Sequence, residues 1–66
     1  MQFIVNGESK SFDAVSTVEE LLLQYKLDSS LIIVELNKKV ILRENYLTTK
    51  LKNNDSLELI RFMGGG

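Results

Sequence analysis

The sequence predicts an α+β fold, a mixed sheet of four to five strands with one main helix packed on one face. Three observations predict it. The 66 residues contain several short apolar runs with a two-residue alternation, but a single stretch with helical spacing. Polar turn clusters at Asn6-Gly7, Asn37-Lys38-Lys39 and Asn53-Asn54-Asp55-Ser56 cut the chain into strand-sized pieces. The helical stretch falls after two strand-like runs and before the others, so its apolar stripe has a sheet to cover.

The elements follow in order. Met1 to Val5 reads as a strand, with Phe3 and Val5 on one face and Ile4 on the other. Asn6-Gly7 is a tight hairpin signal, because both residues tolerate positive φ. Ser9 to Ala14 reads as the return strand, with Phe12 and Ala14 on one face. Ser16-Thr17-Val18-Glu19-Glu20 opens the helix. Thr17 and Glu20 fit a capping box, with Ser16 and Glu19 as an alternative frame. Val18, Leu21, Leu22 and Tyr25 then recur at helical spacing and form one core-facing stripe. Asp28-Ser29-Ser30 ends it. Leu31 to Leu36 is short, apolar and β-branched, hence a strand, and Val40-Ile41-Leu42 is a shorter one. Arg43 to Lys52 is irregular, with a helical turn near Glu44-Asn45-Tyr46. The last strand runs from Leu57 to about Met63, and the first and last strands are expected to pair at the centre of the sheet.

Composition excludes more than it assigns. Cysteine and histidine are absent, so disulfides, thiolate metal sites and the commonest general base are unavailable. The serines therefore have no histidine to activate them. No Gly-x-x-x-x-Gly-Lys loop is present to cradle phosphates. Asp13, Glu19, Glu20, Asp28, Glu35, Glu44, Asp55 and Glu58 are scattered and read as solvated surface. No catalytic residue, bound metal or resident cofactor is expected. A net charge of −1 with interspersed signs lacks the footprint of a nucleic-acid binder. No apolar stretch is long enough for a membrane span, and no signal peptide is read ahead of the first strand. The expectation is a soluble cytoplasmic protein, monomeric when free.

The tail is the informative segment. Gly64-Gly65-Gly66 comes directly off the alternating run Leu57 to Met63, which divides the chain into a domain at 1–63 and a tail at 64–66. Without a Cβ, a glycine arm fits a narrow slot and accepts angles that other residues resist. An α-carboxylate at Gly66 would stand at the tip of that arm. Alternation sends Leu57 and Leu59 toward the helix and Glu58, Ile60 and Phe62 to the uncovered face. Glu35 marks the outward side of its strand, which places Ile33 outward too, and Ile4 joins them. Ile4, Ile33, Ile60 and Phe62 are expected to form an exposed apolar patch for a partner beside the root of the tail, with Met63 next to it.

The order of elements is that of the ubiquitin-like β-grasp fold, and the chain resembles the ThiS-type sulfur carriers of thiamine (thiazole) biosynthesis over essentially its whole length. The strand leading to Asn6-Gly7, the helix start Thr17-Val18-Glu19-Glu20-Leu21-Leu22, the stretch Asn37…Val40-Ile41…Arg43…Tyr46 and the terminal glycines carry the resemblance. Leu42 stands where that family often has proline, and three glycines stand where two suffice. The resemblance implies that an E1-like adenylating enzyme activates the Gly66 carboxylate with Mg-ATP, and that a persulfide donor converts it to a thiocarboxylate. Thiazole synthase would then accept the sulfur, with Gly64 and Gly65 entering both active sites. The alternatives are a sulfur carrier for molybdopterin synthesis, disfavoured by the absence of proline, and a ubiquitin-like protein modifier.

Overall fold

The structure, a computed structural model, describes residues 1–62, so the expected domain boundary and Met63, Gly64, Gly65 and Gly66 lie outside the described residues. Its strands are β1 (Gln2–Val5), β2 (Glu8–Ser11), β3 (Ile32–Leu36), β4 (Lys39–Ile41) and β5 (Ser56–Arg61), and its helix is α1 (Val18–Gln24). They form one sheet in the order β2-β1-β5-β3-β4. β5 lies at the centre, parallel to β1 and antiparallel to β3, while both hairpins are antiparallel. The core is a single cluster between sheet and helix. Phe3, Val5, Ile32, Val34 and Leu57 meet Val18, Leu21 and Leu22, with Val15, Tyr46 and Leu51 closing the margins.

Both hairpins turn on consecutive residues with positive φ, Asn6 (50°) with Gly7 (82°), and Asn37 (51°) with Lys38 (71°). These two-residue loops match the twist of the strands they join. The return strand is shorter than expected. It stops at Ser11, and Phe12 still packs on the core, but Ala14 is exposed and Val15 takes the buried place. Alternation fails there because the chain has already left the sheet for the helix.

α1 has seven residues, too few to stand alone in water. Its free N–H groups are satisfied by its surroundings instead. The Val18 and Glu19 N–H groups donate to the carbonyls of Thr49 (3.1 Å) and Tyr46 (3.0 Å), and Glu20 N–H donates to Thr17 Oγ1 (3.2 Å). The capping box is the Thr17–Glu20 frame. One Glu20 oxygen also accepts from Ser16 N–H (2.7 Å), the Ser16 hydroxyl (2.8 Å) and Thr17 N–H (3.2 Å). The connection that receives the helix is fixed in turn, because the Tyr46 hydroxyl donates to the Ile32 carbonyl inside the core (2.7 Å). The expected helical turn in this connection is a 3-10 turn at Arg43–Asn45, and a second one spans Ser29–Leu31 behind an Asp28 cap.

The backbone and hydroxyl hydrogen bonds from Ser16 hold the Glu20 carboxyl below its ordinary pKa, and those from the Ser30 hydroxyl and N–H do the same for Asp28. A carboxyl whose folded pKa is depressed contributes stability above its unfolded pKa and loses it as pH falls through the folded one. The thermal midpoint is expected to drop as pH goes below about 4, and to drop less in Glu20→Gln, which keeps the cap geometry but cannot titrate. An equal drop in the two proteins would remove Glu20 from the account.

Leu42 directly follows β4. It is exposed, and its φ of −69° is the angle that proline fixes. Leu36 and Lys39 close a two-residue hairpin and so exchange hydrogen bonds, as do Val34 and Ile41. The Leu42 N–H therefore points to the free edge of the sheet. Leu42→Pro is expected to stabilise the domain by about 0.4–1 kcal/mol through the unfolded chain. Denaturant melts would show this as a higher midpoint, and a lower one would mean that the N–H is used.

Candidate functional site

The site is built on the outward side of β5. Leu57 is buried and Leu59 packs against the core, whereas Glu58, Ile60 and Phe62 face away from the helix. Among the described residues no element covers this side. Ile4, Ile33, Ile60 and Phe62 keep 39%, 36%, 44% and 53% of their surface, a high value for large apolar residues on a sheet. Val40 of the edge strand β4 joins them, since it lies opposite Glu35 and is exposed.

Register decides which of these residues meet. Ile33 is directly opposite Ile60, and the Phe62 N–H donates to the Leu31 carbonyl (2.7 Å). Ile33, Ile60 and Phe62 are therefore contiguous, beside the point where the chain leaves the described residues. Ile4 shares the face but not the cluster. It pairs with Ser56 at the start of β5, about 13 Å along the strand from Ile60. Between them sits Glu58, and directly opposite Glu58 is Glu35. Sequence reading placed both carboxylates outward but not side by side, because alternation fixes a face and leaves the offset between strands open. Met63, Gly64, Gly65 and Gly66 lie outside the described residues.

Side chains hold β5 in place where neighbouring strands run out. β1 ends at Val5, so the Leu59 N–H donates to Asn6 Oδ1 (2.8 Å). On the other flank Ser56 N–H donates to Asn37 Oδ1 (3.0 Å), and Asn37 Nδ2 donates to the buried Asp55 carboxylate (3.0 Å). Asn37 is the first residue of the stretch that carried the resemblance, and its function in the fold is to anchor the start of β5. Among the described residues there is no cavity for a small molecule and no group of carboxylates able to hold a metal ion. No described helix is long and apolar enough to cross a membrane.

A five-stranded mixed sheet in this order, with one helix across one face and the other face open among the described residues, defines a ubiquitin-like β-grasp domain. Comparison with known proteins gives the family. The ThiS family model matches residues 3–66. The sulfur carrier protein ThiS of Bacillus subtilis is 40% identical over 50 residues, which cover 76% of each chain. A crystal structure of the thiamine biosynthesis protein ThiS from Geobacter metallireducens superposes with a TM-score of 0.84 at 38% identity, covering 100% of both chains. A thiazole synthase from Paramagnetospirillum magneticum is 36% identical over 66 residues, and there the chain spans only 20% of its relative's length. The chain belongs to the ThiS family, the small sulfur carriers of thiamine biosynthesis, which are carriers and not catalysts.

The division of β5 into two faces is testable. Leu57→Ala is expected to cost about 2–5 kcal/mol in denaturant melts, since it empties core volume. Ile60→Asp and Phe62→Ala are expected to cost less than about 1 kcal/mol, as surface changes do. Equal losses for Leu57→Ala and Ile60→Asp would show that the face is not open.

Proposed function

We propose that the chain carries sulfur as a thiocarboxylate on Gly66 and docks its partners through the face around Ile33, Ile60 and Phe62. The observation that carries this reading is the family match, which runs through Gly64, Gly65 and Gly66. A free carboxylate is a poor electrophile. An E1-like adenylating enzyme would join it to the α-phosphate of Mg-ATP, releasing pyrophosphate and leaving AMP as a good leaving group. The terminal sulfur of a protein persulfide then displaces AMP and forms an acyl disulfide. A thiol cleaves the S–S bond, which frees the thiocarboxylate and leaves a disulfide on the donor side. Thiazole synthase takes the sulfur into the ring, and water restores the carboxylate. The thiazole synthase relative supports this last partner, because it contains a region similar to the whole of this chain.

The chain's own contribution is docking and delivery. Ordering a glycine arm costs about 1–2 kcal/mol per residue, toward the upper end for glycine. Contacts remote from the reacting carbon must supply the surplus that offsets this cost. The apolar cluster of Ile33, Ile60 and Phe62 is placed to do so.

The cycle can be followed by intact and top-down mass spectrometry. With Mg-ATP, the cognate adenylating enzyme and a persulfide donor, the chain is expected to exchange one oxygen for sulfur at Gly66. It should then lose the sulfur stoichiometrically when thiazole synthase and its other substrates are added. Consumption only by a molybdopterin-forming reaction would move the chain to that pathway. Stable lysine conjugates with no thiocarboxylate at any stage would falsify sulfur carriage.

A further inference from the structure

We infer that the docking face is read through the paired carboxylates of Glu35 and Glu58, by a protein partner that presents an arginine at the centre of an apolar patch. This rests on the proposed docking through the open face and specifies its chemistry. Glu35 and Glu58 are directly opposite on β3 and β5, with Cβ atoms about 5 Å apart. Like charges in this position repel, and among the described residues no cation pairs with them. The one ion pair among the described residues is Lys10–Glu8, at 3.3 Å. Each basic residue in a strand faces the other way. Lys10 is opposite Phe3, Lys39 is opposite Leu36 and Arg61 is opposite Ile32, all on the helix side. Lys26, Lys38, Arg43, Lys50 and Lys52 lie in turns and connections outside the strands, and residues 63–66 carry no basic side chain.

The surroundings of the pair define what can cover it. Ile33 and Ile60 abut it on the side of the tail, and Val40 flanks Glu35 on β4. A partner that covers these apolar groups also removes water from the carboxylates, and an uncompensated charge resists that. A second copy of this chain cannot supply the compensation, since two such faces would bring four carboxylates together. A guanidinium can. Its planar fork of donors spans two carboxylates, and it is less strongly hydrated than an ammonium group. The acidic pair thus selects a basic partner and also keeps the exposed apolar face from closing on itself.

The test compares ATP–pyrophosphate exchange by the cognate adenylating enzyme for three full-length proteins: wild type, Glu35→Gln/Glu58→Gln and Glu8→Gln/Glu44→Gln. The last changes net charge equally but leaves the face intact. Exchange with the wild-type chain establishes the underlying reading, and its absence would count against that reading alone. The face variant is expected to melt no lower than wild type, because a repulsion is relieved. It should raise KM for the carrier roughly tenfold or more, leave kcat unchanged and flatten the salt dependence of kcat/KM. Changing the partner's arginine to glutamate should be rescued by Glu35→Lys/Glu58→Lys. An unchanged KM and salt slope would overturn the inference, as would an equal effect in the control variant. Self-association of the face variant in sedimentation at unchanged KM would also overturn it, and would leave the pair as a guard against a second copy.

Discussion

The two-residue period of β5 is the constraint on which the rest of this structure depends. β5 is the central strand, hydrogen-bonded on both sides, and its alternate side chains serve two different purposes. Leu57 and Leu59 complete the core, while Glu58, Ile60 and Phe62 form the open face. A slip of one residue would exchange the two sets and bury a carboxylate. The register is therefore held beyond the backbone ladder. Asn37 and Asp55 fix the start of the strand, and Asn6 takes over where β1 ends.

The connection between β4 and β5 has a similar double role. By secondary structure it is mostly irregular, yet Tyr46 and Leu51 are among its buried residues. Its carbonyls receive the first N–H groups of α1, and the Tyr46 hydroxyl reaches the backbone of β3. A helix this short gains its stability from such seating and from its three buried side chains, not from propensity. The stretch from Asn37 to Tyr46 is thus distinctive because both of its ends anchor other elements. Asn37 holds β5, and Tyr46 holds the helix and β3.

Much of this was legible in the sequence, for a physical reason. Wherever one face of a strand is buried, alternation records which residues point inward, and Phe3, Val5 and Leu57 could be assigned from it. The capping box was legible because its two side chains are three residues apart and act locally. Ala14 misled because alternation was carried past Ser11, where the sheet ends. The offsets between strands had no local signal. That Ile4 lies beside Ser56, and Glu35 beside Glu58, depends on pairings between distant parts of the chain. The outward face of these residues was therefore legible, and their layout on it was not. The face of Ile4 could be read, but not its distance from Ile60.

That distance bears on how a carrier of this kind delivers its cargo. From Phe62 to the Gly66 carboxyl there are four residues, which span at most about 14 Å when fully extended. On the proposed mechanism, the partner's reacting centre must lie within that reach of the last anchored residue. On the same mechanism, Ile33, Ile60 and Phe62 are the cluster nearest the glycines along the chain, so contacts there would set where those glycines enter. Ile4 is about 20 Å back along β5 from Phe62, beyond the acidic pair. A contact at Ile4 can add affinity, but it has less control over the direction of the arm. Two partners that share the root contacts could still differ at Ile4 and Val40. On the proposed mechanism the chain would then present the same carboxyl to an adenylating site and to a sulfur acceptor in turn, with one short stretch of β5 orienting it in both.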